Sequence, residues 1–280
     1  MLAISIVAQA GPAEGTSHLA DMKGLRVHYE SYGDGKVALV FIHGWTCDLT
    51  FWREQAPVYT SHRSLLVDLP GHGESDMPMI PYPMELFARG VEAAMRDAGV
   101  DTAVLIGHSL GGPIALSFLR LFPEKVKAVV LVDAYVSPPL KTPPDRAALE
   151  AAYRKRAVKL QGAAGRNSFA SQIENMFSDH TPPDLRRDIR VKMLATPEHV
   201  RVAAVSTPPL LGPMKPGTVF GIPVLGIQAA APGLDDRTKA MKTLFPKLRV
   251  EKWDGAGHFL MMEDPQRFNQ TLERFLDALP

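Results

Sequence analysis

The chain has one cysteine, Cys47, among 280 residues. A single thiol excludes an intramolecular disulfide and any cluster of thiolate-bound metal. Long hydrophobic runs are also missing. None approaches the roughly 20 residues that a helix needs to span a bilayer, so integral membrane association is not expected. Charge of one sign is absent: 31 basic and 30 acidic residues leave a net +1. Such a balance projects no field toward nucleic acid, and no nucleic-acid partner is expected. The histidines are scattered along the chain, so no metal site is expected. No G-x-G-x-x-G follows a strand. A cofactor-free protein is therefore the expectation, and oligomeric state is not legible.

What is present is a globular composition, 46% hydrophobic and 22% charged. At this length one domain with an insertion is expected. The start, Leu2 to Val7 followed by Ala8-Gln-Ala10, is an apolar stretch ahead of an A-x-A pattern. It reads as the tail of a leader, though no basic n-region precedes it, or as a frayed N-terminus. On that pattern a secreted or periplasmic location is favoured over the cytoplasm, and residues 1–20 are expected to be poorly ordered.

The most informative stretch is Val104 to Gly112. An apolar strand, Ala103–Ile106, runs into Gly107-His108-Ser109-Leu110-Gly111, and an apolar helical run, Ile114–Phe122, follows. Strand, sharp turn and helix are the context in which G-x-S-x-G means a nucleophile elbow. The hydroxyl must stand at a strained tip, and a Cβ at either flanking glycine would crowd that turn. The helix then directs its first N–H groups and its positive end toward charge forming near Ser109. The bland alternative, a chance string in a loop, lacks the flanking elements.

The rest of the chain alternates in the same way. Leu25–Glu30 reads as an antiparallel strand. Val37–Ile42 and Val126–Val132 read as buried strands, and Ser64–Leu69, Ile222–Ile227 and Leu248–Trp253 as further strands. Helical segments are expected at Phe51–Tyr59, Met84–Ala98, Asp235–Leu244 and Pro265–Leu279. Between about 137 and 217 the rhythm breaks into proline-rich sequence with basic helical pieces, Ala147–Leu160 and Pro183–Leu194. The pattern predicts an α/β fold with a mostly parallel sheet flanked by helices. The domains are a flexible segment 1–20, a core of 21–136 and 218–280, and a helical cap over 137–217. Active groups should gather at the carboxyl ends of the strands.

Four motifs occur in order: His43-Gly44-Trp45, Asp68-Leu-Pro-Gly-His-Gly-Glu-Ser75, Gly107-His-Ser-Leu-Gly-Gly112, and Gly255-Ala-Gly-His258 ahead of Glu263-Asp264-Pro265. Together they resemble the α/β-hydrolase superfamily, in its capped esterase and lipase-like branch. The resemblance implies an eight-stranded sheet, Ser109 as nucleophile and His258 as its base. It also implies an oxyanion hole made by the N–H groups of Trp45 and Leu110. His43 and His72 are expected to brace loops. His108 is expected to buttress the elbow, with direct catalysis as the alternative. His28 and His62 read as surface or packing residues.

The third catalytic member departs from the family pattern. Where most relatives carry an acid after the seventh strand, this chain reads Gln228-Ala-Ala-Ala-Pro232. Asp133, at the end of the sixth strand, is one substitute. Asp235 or Asp236 is another, although both also suit the first turn of a helix. A chain without a working acid is the third possibility.

The expected activity is cleavage of carboxylic esters through an acyl-enzyme on Ser109. Alternatives on the same fold are a lactonase, an amidase, a C–C hydrolase, a perhydrolase or a non-catalytic ligand-binding protein. The partner would be a small-molecule ester. Gly44, Phe51, His108, Met176, Leu210 and Phe259, with the ring of Trp45, are expected to shape an apolar pocket suited to short or medium acyl chains or aryl esters.

Overall fold

The computed structural model describes residues 15–134, 143–206, 208 and 217–280. Eight strands form one sheet: β1 (Thr16–Met22), β2 (Leu25–Tyr32), β3 (Val37–Ile42), β4 (Ser64–Val67), β5 (Thr102–His108), β6 (Val126–Val132), β7 (Val224–Ala229) and β8 (Leu248–Trp253). Their order is β1-β2-β4-β3-β5-β6-β7-β8. Pairings of β1 with β2 and of β2 with β4 are antiparallel, and all others are parallel. The central strands are apolar throughout because both their faces are covered; β3 reads Val-Ala-Leu-Val-Phe-Ile and β4 is buried at every position. The edges β1 and β8 carry exposed residues, as suits strands with one open side.

Helices in chain order are α1 (Ala56–Tyr59), α2 (Met84–Asp97), α3 (Gly111–Leu121), α4 (Pro143–Val158), α5 (Gly162–Glu174), α6 (Pro183–Ala195), α7 (Glu198–Ala203), α8 (Leu234–Lys242), α9 (Leu260–Glu263) and α10 (Pro265–Asp277). A 3-10 turn, Leu49–Gln55, leads into α1. In α10, Phe268, Leu272 and Phe275 repeat at i, i+4, i+7 and are buried. Asp264 caps that helix by accepting the Arg267 N–H, and Pro265 stands in its first turn. No described helix is long and apolar enough to cross a membrane.

Two sequence expectations change here. Residues 16–20 are not frayed: they belong to β1, whose Thr16 to Met22 pair with Ser31 to Leu25. The polar alternation of an edge strand hides it from a search for apolar runs. The helix read over Phe51–Tyr59 is a 3-10 turn followed by one α-helical turn, with Pro57 at the junction. Helices α5 and α7, between β6 and β7, were not anticipated; α5 has mixed Gly-Ala-Ser composition and only Gly165, Phe169 and Ile173 buried.

Parallel registers align the carboxyl ends. Ile42 lies beside Gly107, His108 beside Val132, and Val132 beside Ile227. From β3 the chain steps out to β4, then returns across β3 to β5. The crevice at that reversal is where such sheets place ligands. The loops after β3, β5, β6, β7 and β8 therefore open onto one region.

Candidate active site

Ser109 sits between the end of β5 and the start of α3 at φ 51°, a left-handed conformation that a serine rarely adopts. Its N–H donates to the Val132 carbonyl at 2.9 Å, pinning the elbow to β6. The flanking glycines are demanded by close approach. A Cβ on Gly107 would lie 2.4 Å from the Gly111 carbonyl oxygen, and one on Gly111 would lie 2.2 Å from that of Ile42.

His258 lies in the loop after β8. Its Nε2 is 2.8 Å from Ser109 Oγ, and its Nδ1 is 2.5 Å from Asp133 Oδ2. A carboxylate accepts, so Nδ1 carries the proton and the Nε2 lone pair faces the serine hydroxyl. Asp133 follows β6 directly and also has a positive φ, 41°. Its N–H donates to the Ile227 carbonyl, and its Oδ1 accepts the Ala229 N–H at 3.1 Å. Thus the end of β7, which carries no acid of its own, uses its backbone to hold the acid that follows β6. Gln228 is buried there and donates to the Ala134 carbonyl. Asp235 and Asp236 stand exposed in the first turn of α8, where a negative side chain faces the helix's positive end. The structure brings Asp133 to His258 and leaves those two aside.

Trp45 and Leu110 flank Ser109 along one cavity. Neither main-chain N–H meets a protein acceptor among the described residues. The Trp45 indole points into the insertion, donating to the Arg201 carbonyl at 3.0 Å and packing on the Phe169 ring.

Four histidines beneath the site differ in role from His258. His43 Nε2 accepts the Leu69 N–H and its Nδ1 donates to the Gly44 carbonyl. His72 Nε2 accepts the Thr46 N–H and its Nδ1 faces the Pro70 carbonyl. Both tie the loops after β3 and β4 together. His108 donates from Nε2 to the His258 carbonyl at 2.9 Å, beneath that loop, while its Nδ1 has no partner among the described residues. Burial lowers all three from the ordinary imidazole value, His108 well below it and His72 to about 3. They are neutral braces. His28 behaves oppositely. It is buried, but its Nδ1 meets Asp68 Oδ2 at 2.7 Å, and that hydrogen bond raises its pKa. Burial alone would raise the Asp68 carboxyl, yet His28, the His43 field and the N–H groups of Glu74 and Leu49 bring it below its usual value.

Glu263 was legible only as part of a helix entry. Its carboxylate accepts the Gly257 N–H at 2.7 Å and the hydroxyls of Ser178 and Thr181 from the insertion. The His258 N–H itself donates to the Met176 carbonyl at 2.8 Å. The imidazole loop is therefore fastened to the insertion at several points.

The cavity beside Ser109 measures about 420 Å³ and is lined by Trp45, Leu110, Pro113, Asp133, Ala134, Tyr153, Arg156, Ala204, Val205 and His258. Its lining corrects the expected pocket. Phe51 and Phe259 are fully buried and packed on each other behind the elbow, with His108 against Phe259. Gly44 lies under the elbow, a Cβ there falling 3.2 Å from that of Ser109. Met176 serves through its carbonyl. Leu210 lies outside the described residues. Tyr153 and Arg156 were missed; the signal was their i, i+3 spacing on a helix whose Ala157, with Leu160 just past its end, is buried.

A family model of the alpha/beta hydrolase fold matches residues 37–265, and the chain belongs to that family. It is 27% identical over 273 residues to a 2-hydroxy-6-oxononadienedioate/2-hydroxy-6-oxononatrienedioate hydrolase of Burkholderia vietnamiensis, covering 90% of this chain and 91% of the other. It is 34% identical over 115 residues, 41% of this chain, to the dihydrolipoyllysine-residue acetyltransferase component of the acetoin cleaving system of Cupriavidus necator, and spans only 31% of that relative's length. Among solved structures, a thermophilic esterase from Thermogutta terrifontis superposes with a TM-score of 0.78 at 23% identity, over 95% of this chain and 99% of that one. At that identity the likeness speaks for the fold.

Proposed function

We propose that the protein is a serine hydrolase of carboxylic esters. The observation that carries this reading is the unbroken contact from Ser109 Oγ through His258 to Asp133, at 2.8 and 2.5 Å. A serine hydroxyl is a weak nucleophile and needs a base within hydrogen-bond reach. His258 Nε2 takes the Ser109 proton as Oγ attacks the ester carbonyl. Asp133 fixes the imidazole tautomer and stabilises the imidazolium that forms, without itself becoming protonated. Charge then develops on the carbonyl oxygen, and the N–H groups of Leu110 and Trp45 are the donors available to it. One such donor is typically worth about 2.7–4 kcal/mol of barrier. His258 returns the proton to the leaving alcohol. Water, activated by the same imidazole, releases the acyl group from Ser109.

An acid beside His258 removes the motive for a purely ligand-binding reading. The 2-hydroxy-6-oxo substrates named for the Burkholderia relative, lactones, amides and peracid formation belong in the substrate panel, because one fold hosts many reactions. The test is hydrolysis of p-nitrophenyl esters with labelling by a fluorophosphonate. Turnover and labelling are expected in the wild type, and both should fall by at least about 10³-fold in Ser109→Ala. Undiminished turnover in that variant refutes the assignment.

A further inference from the structure

We propose that Arg156 is a substrate-specificity residue that pairs with an anionic group on the ester, so that the substrate class is a carboxylate-bearing ester such as a dicarboxylic half-ester. The inference rests on the ester-hydrolase reading above and departs from the expectation of a wholly apolar pocket. Beyond Ser109, His258 and Asp133, the described lining of the cavity has two polar side chains, Tyr153 and Arg156. Both come from α4, three residues apart, so they stand on one face.

Helix α4 is placed by Ala157, and Leu160 packs just beyond its end, both at most 3% exposed. That packing turns Tyr153 and Arg156 toward the crevice. Some cations of the insertion have acidic neighbours, Arg154 with Glu150, Arg190 with Glu174 and Arg201 with Glu198, and Arg166 and Arg186 are engaged by carbonyls. Arg156 has no such ion pair among the described residues, and the residue one turn before it is Ala152. Asp133, the carboxylate among the described lining residues, is already engaged by His258 and the Ala229 N–H. Among the described residues the guanidinium at the cavity thus has no acidic partner, and its planar fork suits a carboxylate. Tyr153 adds a phenol beside it, able to donate to the same group. The remaining wall, Trp45, Leu110, Pro113, Ala204 and Val205, is apolar and suits a methylene chain between the two ends of such a substrate.

The test compares two esters that differ only at the far end, p-nitrophenyl hexanoate and the mono-p-nitrophenyl ester of adipic acid. The readout is the ratio of their KM values in the wild type, Arg156→Gln and Arg156→Lys. In Arg156→Gln the ratio of half-ester to hexanoate KM should rise about tenfold, and added salt should shrink the difference. The lysine variant should recover part of it. A ratio unchanged from wild type, with both KM values moving together, overturns the proposal. Binding of adipate itself, followed by calorimetry, separates this inference from the reaction. If the wild type cleaves neither ester, the hydrolase reading has failed. Adipate affinity weakened about tenfold in Arg156→Gln would still support the anion site, and equal affinity would still overturn it.

Discussion

Ala229 holds Asp133: its main-chain N–H donates to Asp133 Oδ1 at 3.1 Å, leaving Oδ2 to His258. Ala229 ends β7, and Asp133 directly follows the adjacent β6. An amide from the next strand thus orients a carboxylate that the next strand does not itself supply. Asp133→Asn should keep the fold and lower kcat by about 10³- to 10⁴-fold, since an amide at that place favours the wrong imidazole tautomer. Asp235→Asn and Asp236→Asn should leave kcat unchanged. Steady-state kinetics of the three variants decides between the acids.

Glu263 controls where His258 stands without touching the reacting atoms. Glu263→Gln replaces one of the two acceptor oxygens with an NH2 donor, so it cannot accept from the Gly257 N–H and both hydroxyls at once, loosening the loop. A drop in kcat of about 10- to 100-fold is expected, with KM within about twofold, because a displacement of roughly 1 Å costs that much. A proportional rise in KM with kcat intact would argue that the residue shapes binding instead.

The buried histidines make stability depend on acid. His43, His72 and His108 have folded pKa values below the ordinary 6.5. Below that pH the unfolded chain takes up protons that the folded protein refuses, so their contribution is whole above about 6.5 and is lost as pH falls, toward about 3 for His72. His28, raised by Asp68, acts in the other direction: its contribution is present below 6.5 and is lost as pH rises through its folded value. Thermal melts between about pH 7 and about pH 5 should show falling Tm, with a shallower slope in His72→Gln. A slope untouched by that substitution would contradict the role given to His72.

Cys47 is 3% exposed, and burial, reinforced by Asp48, drives its thiol well above the ordinary value. Thiol reagents at about pH 8 should leave the folded protein unmodified and should react with one equivalent after denaturation. Reaction of the native protein at the rate of a free thiol would contradict this burial.

Gly111 tests the crowding at the elbow. A methyl group 2.2 Å from the Ile42 carbonyl oxygen cannot be accommodated without moving β3 or α3. Gly111→Ala should cost about 3 kcal/mol in urea unfolding. Loss of activity with stability unchanged would place the constraint in the chemistry alone.

Much of this arrangement was legible in the chain because the strands that carry it are buried on both faces. Val37–Ile42 and Val126–Val132 read as strands with the bounds they have in the fold. Ser109 and His258 were legible because a tight turn demands glycines, and those glycines punctuate the sequence. The acid was not decided, since Asp133 reaches His258 only through strand adjacency, which no local pattern encodes. His28 reads as an ordinary polar position on an alternating strand; its burial depends on Asp68, forty residues away. Tyr153 and Arg156 escaped for a related reason. A basic helix in a proline-rich stretch looks solvated until the fold shows which of its faces meets the crevice.

The Met176 carbonyl that receives the His258 N–H makes the insertion a structural member of the imidazole loop. Evolution or engineering cannot therefore exchange residues 143–203 as a detachable specificity module. A graft would have to reproduce that carbonyl together with the Ser178 and Thr181 hydroxyls. Otherwise the new binding surface would come with a misplaced base, and gain in recognition would be cancelled by loss of turnover.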